Sequence, residues 1–275
     1  MITKTIDEVA FDLKEDFDFT FLSEYGRVFA VFDQQDSGNL CFGVQGRDKK
    51  LFLKLAGAAT MLSNVSAEEA IARLKSTIRI YEHLSHPSLI QIHQHKEIAG
   101  GYLTVFDWFD GECMGRQYQS YDRFIALPVE DKLRIFETIL NFHEHVHACG
   151  YIALDFYDGS IMYDFQSKHT MLCDIEFYRP MPVMNTMGRM WGSSRYMSPE
   201  ELQLGAQIDE RSNVFVMGAT AFQLFGGGVD RSIEKWEAGE RLHAIASKAV
   251  QLEKNERYPS IGELHEAWTA AVNER

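Results

Sequence analysis

The sequence has little cysteine, and what it has is scattered. Cys41, Cys113, Cys149 and Cys173 show no CxxC spacing, which excludes a zinc knuckle and gives no disulfide frame; they read as reduced thiols of a cytoplasmic protein. Basic residues are in deficit, 27 Lys and Arg against 40 Asp and Glu, for a net charge of −13. No basic run overrides that balance, so nucleic acid is not an expected partner, because neutralising phosphates needs clustered Lys and Arg. No stretch approaches the roughly 20 apolar residues of a membrane span. The acidic start, MITKTIDEVAFDLKEDFDF, has no apolar centre and is not expected to be a signal peptide. Internal repeats and low-complexity linkers are also missing. What is present is 275 residues at 45% hydrophobic content, enough for one large domain or two lobes with cores of their own.

The first third reads as strands. Phe19 to Phe32 should contain one, ending near Asp33. A turn cluster follows at Gln34 to Asn39, whose Ser37-Gly38-Asn39 could offer backbone N–H groups to a phosphate, although a single glycine makes that signal weak. Leu40 to Val44 and Lys50 to Leu55 are further strands. Lys54 stands alone between Leu53 and Leu55; taken locally it is a solvated strand lysine. Ser66-Ala-Glu-Glu69 has the capping-box pattern of a helix running to about Leu84, with Ile71, Leu74, Ile78 and Tyr81 on its buried face. Strands at Leu89 to Ile92 and Tyr102 to Phe106 complete a sheet of about five, and Asp107 to Gly111 is the expected lobe boundary. After it the chain turns helical: Pro128 to His147, a buried Asn213 to Phe225, Ile233 to Gln251 and Ile261 to Val272. His143 and His147 stand at i,i+4 with no third ligand in view, so they read as packed or solvated histidines and not a zinc pair.

Tyr151 to Glu176 carries the chemistry. Two short apolar runs, Ile161–Tyr163 and Thr170–Cys173, flank a polar turn of hairpin length. An antiparallel hairpin brings the start of its first strand beside the end of its second. Asp155, Asp158 and Ser160 precede the first strand and Asp174 follows the second, so oxygen ligands gather at one end. That suits a hard cation such as Mg²⁺ held partly by substrate phosphates; the same residues also fit a surface hairpin with acidic ends.

Laid end to end, these segments resemble a eukaryotic-type (Hanks-type) serine/threonine protein kinase, over roughly residues 20 to 270 and in the family's order. Lys54 in LFLKL resembles the third-strand lysine that pairs with ATP phosphates, LSHPSLIQI the link to the fourth strand, and TVFDWFDGE the hinge. GSSRYMSPEE, residues 192–201, resembles the end of the activation segment and is the most specific match. The resemblance implies an α+β, two-lobed fold: residues 1–109 an antiparallel-sheet N-lobe with one regulatory helix, residues 110–275 a helical C-lobe. It implies Asp155 as the base, Asp174 as metal ligand with Ser160 and Asp158 beside it, and Lys54 and Gly38 on the phosphates of ATP. It makes Phe106 the gatekeeper and lets the backbone of Asp107 and Phe109 hold adenine. Glu200 and Arg257 should form a buried pair anchoring the activation segment. Mg²⁺ or Mn²⁺ would be the metal, and a protein substrate or regulatory partner the other party.

The departures from the pattern are specific. Ala153 and Leu154 replace histidine and arginine, Tyr157 a lysine, Ser160 an asparagine and Asn213 an aspartate. The triplet at Asp174 reads Asp-Ile-Glu, and Thr77 stands where a glutamate should meet Lys54; Glu69 is the nearby acid that could substitute. Phosphoryl transfer is mostly positioning and charge neutralisation, so ATP-dependent transfer to Ser or Thr of a protein is the leading expectation. A pseudokinase that binds nucleotide or partner without turnover is the alternative, and a small-molecule kinase a third, which the peptide-docking segment at 192–201 argues against.

Overall fold

The structure, a computed structural model, describes residues 1–34 and 37–275; Gln35 and Asp36 of the expected phosphate-facing turn lie outside the described residues. The chain divides into two compact units, Met1–Ser85 with Ile90–Asp110, and His86–Leu89 with Gly111–Arg275. No described helix is long and apolar enough to cross a membrane.

The first unit opens with a hairpin that the sequence pattern had not announced, β1 (Ile2–Ile6) and β2 (Val9–Leu13). Its two-residue turn is Asp7-Glu8, both at positive φ. That geometry normally advertises itself with Asn-Gly or Asp-Gly, and here it does not. The main sheet is antiparallel, in the order β3 (Arg27–Phe32), β4 (Asn39–Gln45), β5 (Lys50–Ala56), β7 (Gly101–Asp107), β6 (Ile92–Ile98). Strand β3 starts at Arg27 because Gly26 turns the chain there at φ 137°, where a Cβ would lie 2.1 Å from the Gln45 carbonyl oxygen. The strand expected at Leu89–Ile92 begins instead at Ile92 and runs through His-Gln-His-Lys-Glu; as an edge strand it tolerates that polar run. Leu40, Phe42, Leu53, Leu55, Leu103 and Val105 form the core with Phe11 and Leu13 of the hairpin. Helix α1 (Ala67–His83) is capped by Ser66 Oγ, which accepts the Glu69 N–H at 3.2 Å. Only half of the expected box is present, because Arg73 takes the Glu69 carboxylate at 3.0 Å.

In the second unit β8 (Glu112–Cys113), α2 (Tyr121–Ile125) and the long α3 (Val129–Ala148) lead to β9 (Tyr151–Ile152) and the hairpin β10 (Ile161–Asp164) and β11 (His169–Leu172). β8 adds a third antiparallel strand beside β10. Residues 86–89 join this unit because the Leu172 N–H donates to Ser88 O at 2.7 Å and Leu89 bridges Leu172. β12 (Arg179–Pro180) pairs with β9, and β13 (Val183–Met184) with β14 (Gln207–Ile208). Helix α4 (Glu210–Phe225) is buried from Ser212 onward, as its all-round apolarity requires. The helix expected over Ile233–Gln251 is broken: a 3₁₀ turn at Ile233–Lys235 is followed by α5 (Glu240–Ala249), with Gly239 at φ 87° between them. Helix α6 (Ile261–Asn273) closes the bundle through Trp268, whose ring lies 4.6 Å from Phe136 and 5.6 Å from Phe225.

Candidate functional site

The hairpin register pairs Ile161 with Leu172, and the Cys173 N–H donates to Ser160 O at 3.0 Å. Asp174 therefore leaves the sheet beside Ser160. Asp155 and Asp174 both sit in the left-handed region, at φ 58° and 59°. For residues with a Cβ this conformation costs on the order of 1–3 kcal/mol and persists only where the surroundings over-determine it. Two such aspartates in one loop-and-hairpin are the strongest pointer to a working site in this unit.

What holds the Asp155 loop is Asn213. Its Oδ1 accepts the Ala153 N–H at 2.8 Å and its Nδ2 donates to Ala153 O at 2.6 Å, all buried. Asn213, a departure from the family's aspartate, thus braces the loop: an amide satisfies both backbone groups of one residue, which a carboxylate cannot do. His147 Nε2 lies 3.1 Å from the same Oδ1. His143 is spent on packing, its Nδ1 on Ile139 O at 2.8 Å and its Nε2 on the Tyr178 hydroxyl at 2.9 Å. Burial pushes it down to about 3.

The three expected metal ligands do not stand alike. The Ser160 hydroxyl is buried and has no hydrogen-bond partner among the described residues, an orphaned oxygen of the sort a cation or its water would satisfy. Asp158 is buried, but Arg195 grips it with two hydrogen bonds, Nη1 to Oδ2 at 2.8 Å and Nη2 to Oδ1 at 3.0 Å. A carboxylate held that way is a structural ion pair, and its assisting metal role is withdrawn. Among the described residues no three His, Cys, Asp or Glu side chains converge on a metal position. Mg²⁺ fits such a sparse set because it binds through one or two protein oxygens plus substrate phosphates. Tyr157 packs its ring on Gly159, where a Cβ would fall 2.3 Å from the ring. Its hydroxyl is kept neutral, first by burial and then by the charges of Asp174 and Asp155.

Asp155 also lines a cavity of about 10 Å³ with Phe156, Gly192, Ser193, Tyr196, Met197, Glu201 and Val216, room for about one water. Gly192 fits there at φ 135°, where a Cβ would sit 3.4 Å from Asp155 Oδ1. Glu201 accepts the Ser198 N–H at 2.7 Å and its hydroxyl at 2.8 Å, yet burial pushes it up to about 7. Gly192, Tyr196, Arg195 and Glu201 had been named only as letters of a segment. Their spacing after Asp155 carries no local signal, and only the tertiary fold brings them to it. Glu200, next in the same segment, pairs with Arg257.

In the first unit Lys54 lies on β5, half-buried, opposite Cys41 and Thr104 in the sheet. Thr77, in the position expected of a glutamate, is buried and turns its hydroxyl to Leu74 O at 2.7 Å. Glu69, the acid expected to substitute, is exposed and its carboxylate pairs with Arg73 at 3.0 Å. Phe106 is buried against Tyr81, ring centroids 5.4 Å apart. The Asp107 N–H is spent on Gln91 O at 3.2 Å, which makes its carbonyl the candidate group for a base. The Asp107 carboxylate binds Lys49 at 2.8 Å and His93 at 2.6 Å; burial opposes its charge, and these two hydrogen bonds outweigh it and hold the acid below its usual range. Trp108 gathers Phe29, Phe32 and Phe52 around it, the first at 4.9 Å and the others at 6.5 Å. Phe52, two residues before Lys54, shares its strand face. Gly38 is required by φ 82° and by Ser63 Oγ, 3.2 Å from any Cβ added there. Phe109 follows Trp108 at the end of this unit.

The protein kinase domain family matches residues 52–266. The chain belongs to the protein kinase domain family. Among its relatives, the serine/threonine-protein kinase PknI of Mycobacterium tuberculosis is 26% identical over 171 residues, 60% of this chain and 26% of that protein. The serine/threonine-protein kinase pkn3 of Myxococcus xanthus is 24% identical over 190 residues, 66% of this chain and 33% of that protein. Human mitogen-activated protein kinase kinase kinase 1 is 22% identical over 172 residues, 60% of this chain and 11% of that protein. This kinase domain thus corresponds to a third or less of each of these relatives. Its α+β architecture, an antiparallel sheet with one helix followed by a helical unit, is that of the family.

Proposed function

We propose that this kinase domain transfers the γ-phosphoryl group of ATP to a serine or threonine hydroxyl of a protein. The observation that carries this is the pair of left-handed aspartates, Asp155 and Asp174, with Asn213 clamping the loop at Ala153. The Asp155 carboxylate takes the proton of the acceptor hydroxyl as its oxygen bonds to phosphorus and the bond to ADP breaks. Lys54 neutralises phosphate oxygens, and the Asp107 carbonyl and Phe109 backbone receive the base. Asp174 and Ser160 would hold a divalent cation, which supplies charge neutralisation on the phosphates when bound.

One observation favours a second reading, a pseudokinase. Thr77, standing where the family has a carboxylate, is buried and bonded to its own helix. The test is phosphate incorporation from labelled ATP into a generic acceptor protein with Mg²⁺ or Mn²⁺. Wild type is compared with Asp155→Asn and Asp174→Ala at matched folding. Incorporation by wild type that both variants lose supports the enzyme. Equal background in all three, with nucleotide still raising the melting temperature, makes this a nucleotide-binding pseudokinase.

A further inference from the structure

In the second unit two guanidinium groups converge on a single amide. Gln223 Oε1 accepts from Arg116 Nη2 at 3.0 Å and from Arg195 Nη1 at 3.4 Å, while Gln223 Nε2 donates to the Tyr121 hydroxyl at 3.0 Å. Arg195 is already matched by the buried Asp158. Arg116 is not matched: it is exposed, lies 5.7 Å over the Tyr121 ring, and has no carboxylate within ion-pair distance among the described residues. Gly228 closes the same spot, where a Cβ would stand 3.2 Å from Arg116 Nη2. The cluster therefore holds two cations, one anion and a neutral amide, a local net positive charge in a chain of net charge −13. It also adjoins the reacting loop. The Arg195 guanidinium lies 5.1 Å from the Tyr196 ring, and Tyr196 lines the cavity shared with Asp155.

We propose that Arg116, oriented by Gln223 beside the Arg195–Asp158 pair, binds an acidic side chain of the protein substrate near its acceptor hydroxyl. An arginine pre-positioned by a neutral acceptor keeps its charge available, and its planar fork suits a carboxylate or a phosphate. A substrate peptide rich in lysine would meet the wrong sign here. This inference rests on the proposed transfer to a protein, and its test is chosen to stand apart from turnover.

The probes are serine-centred peptides in which one residue is glutamate, glutamine, lysine or phosphoserine, moved through the positions flanking the serine. Binding to the full chain is read by fluorescence anisotropy, and phosphate incorporation is read in parallel. Glutamate or phosphoserine at one flanking position should bind about fivefold tighter than glutamine, the scale of a partly exposed ion pair. Lysine there should bind more weakly. Arg116→Glu should reverse the preference. Gln223→Glu, nearly isosteric, places a carboxylate between the two arginines and should abolish it. Equal binding of all peptides, no binding of any, or a preference unchanged in both variants overturns the inference. Arg116-dependent binding without phosphate incorporation keeps the subsite and removes the transfer activity. Incorporation indifferent to the flanking charge does the reverse.

Discussion

Arg257 and Glu200 face each other in a two-point ion pair, Nη1 to Oε1 at 2.6 Å and Nη2 to Oε2 at 3.1 Å, with both residues buried. The arginine's remaining donors go to the carbonyls of Gln251, Arg211 and Leu252, so one side chain ties the 192–201 segment to α4 and to the turn after α5. Cutting one partner of a buried pair typically costs about 3–5 kcal/mol because the other charge is stranded. Arg257→Ala should lose that much in urea denaturation, and Arg257→Lys, which cannot span both oxygens, should fall between it and wild type. A loss below about 1 kcal/mol would count against the anchor. Burial alone would raise the Glu200 carboxyl, but Arg257 and Ser212 hold it below 4.5. Its contribution is thus present above that pH and lost as pH falls below it.

Glu201, the next residue, has the opposite sign. Burial pushes it from 4.5 to about 7, so the folded protein binds a proton that the unfolded chain has released. Stability from this group is present below pH 4.5 and is lost as pH rises to about 7. His143 runs the other way: burial takes it from 6.5 to about 3, so its contribution is present above pH 6.5 and lost on acidification. Glu201→Gln keeps an acceptor for the Ser198 N–H and removes the titration. The stability difference, wild type minus variant, should fall by about 1.4 kcal/mol per pH unit between the two values. Parallel pH profiles for the two proteins would sink the assignment.

The parts of this site that could be read from the sequence were those whose signal is local. The hairpin after Asp155 shows two apolar runs around its own polar turn, and Lys54 stands out as a cation between leucines in a strand. The buried α4 declared itself by apolarity on every face. What stayed hidden depends on distant partners. Asp158 looked like a ligand until Arg195, 37 residues later, claimed it. Asn213 looked like a loss until both its amide atoms met Ala153. The hairpin at Asp7-Glu8 lacked a glycine to announce it, and β6 hid because an edge strand needs no apolar face.

Nucleotide binding has a test in the first unit. Lys54 stands half-buried on β5 between Leu53 and Leu55, and a ligand that binds only the folded state stabilises it by RT ln(1 + [L]/Kd), about 2.7 kcal/mol at a hundredfold excess. Mg²⁺·ATP should raise the melting temperature of wild type, and Lys54→Met should lose most of that rise while melting normally without ligand. An equal rise in both proteins would remove Lys54 from the phosphate role.

The last prediction concerns Asn213, where family resemblance and geometry disagree. The family has aspartate here, so Asn213→Asp restores the family's residue. The structure argues otherwise. The Nδ2 donor to Ala153 O at 2.6 Å would become an oxygen facing an oxygen, and a buried acceptor left without its donor costs about 1–3 kcal/mol. His147 can soften the damage. Its Nε2 lies 3.1 Å from Asn213 Oδ1, and its Nδ1 is buried without a hydrogen-bond partner among the described residues, 4.0 Å from Glu210. In the native protein burial holds His147 below 6.5; beside a new carboxylate its folded value should rise. Stability from a raised histidine is present below its unfolded value and lost as pH climbs through the folded one. Asn213→Asp should therefore lose stability and phosphate incorporation together, and lose more at pH 8 than at pH 6 (round values on either side of neutrality). Asn213→Ala, which orphans both Ala153 groups, should lose as much at either pH. If Asn213→Asp matched or exceeded wild type in stability and turnover at both values, the amide clamp would not be what holds the Asp155 loop.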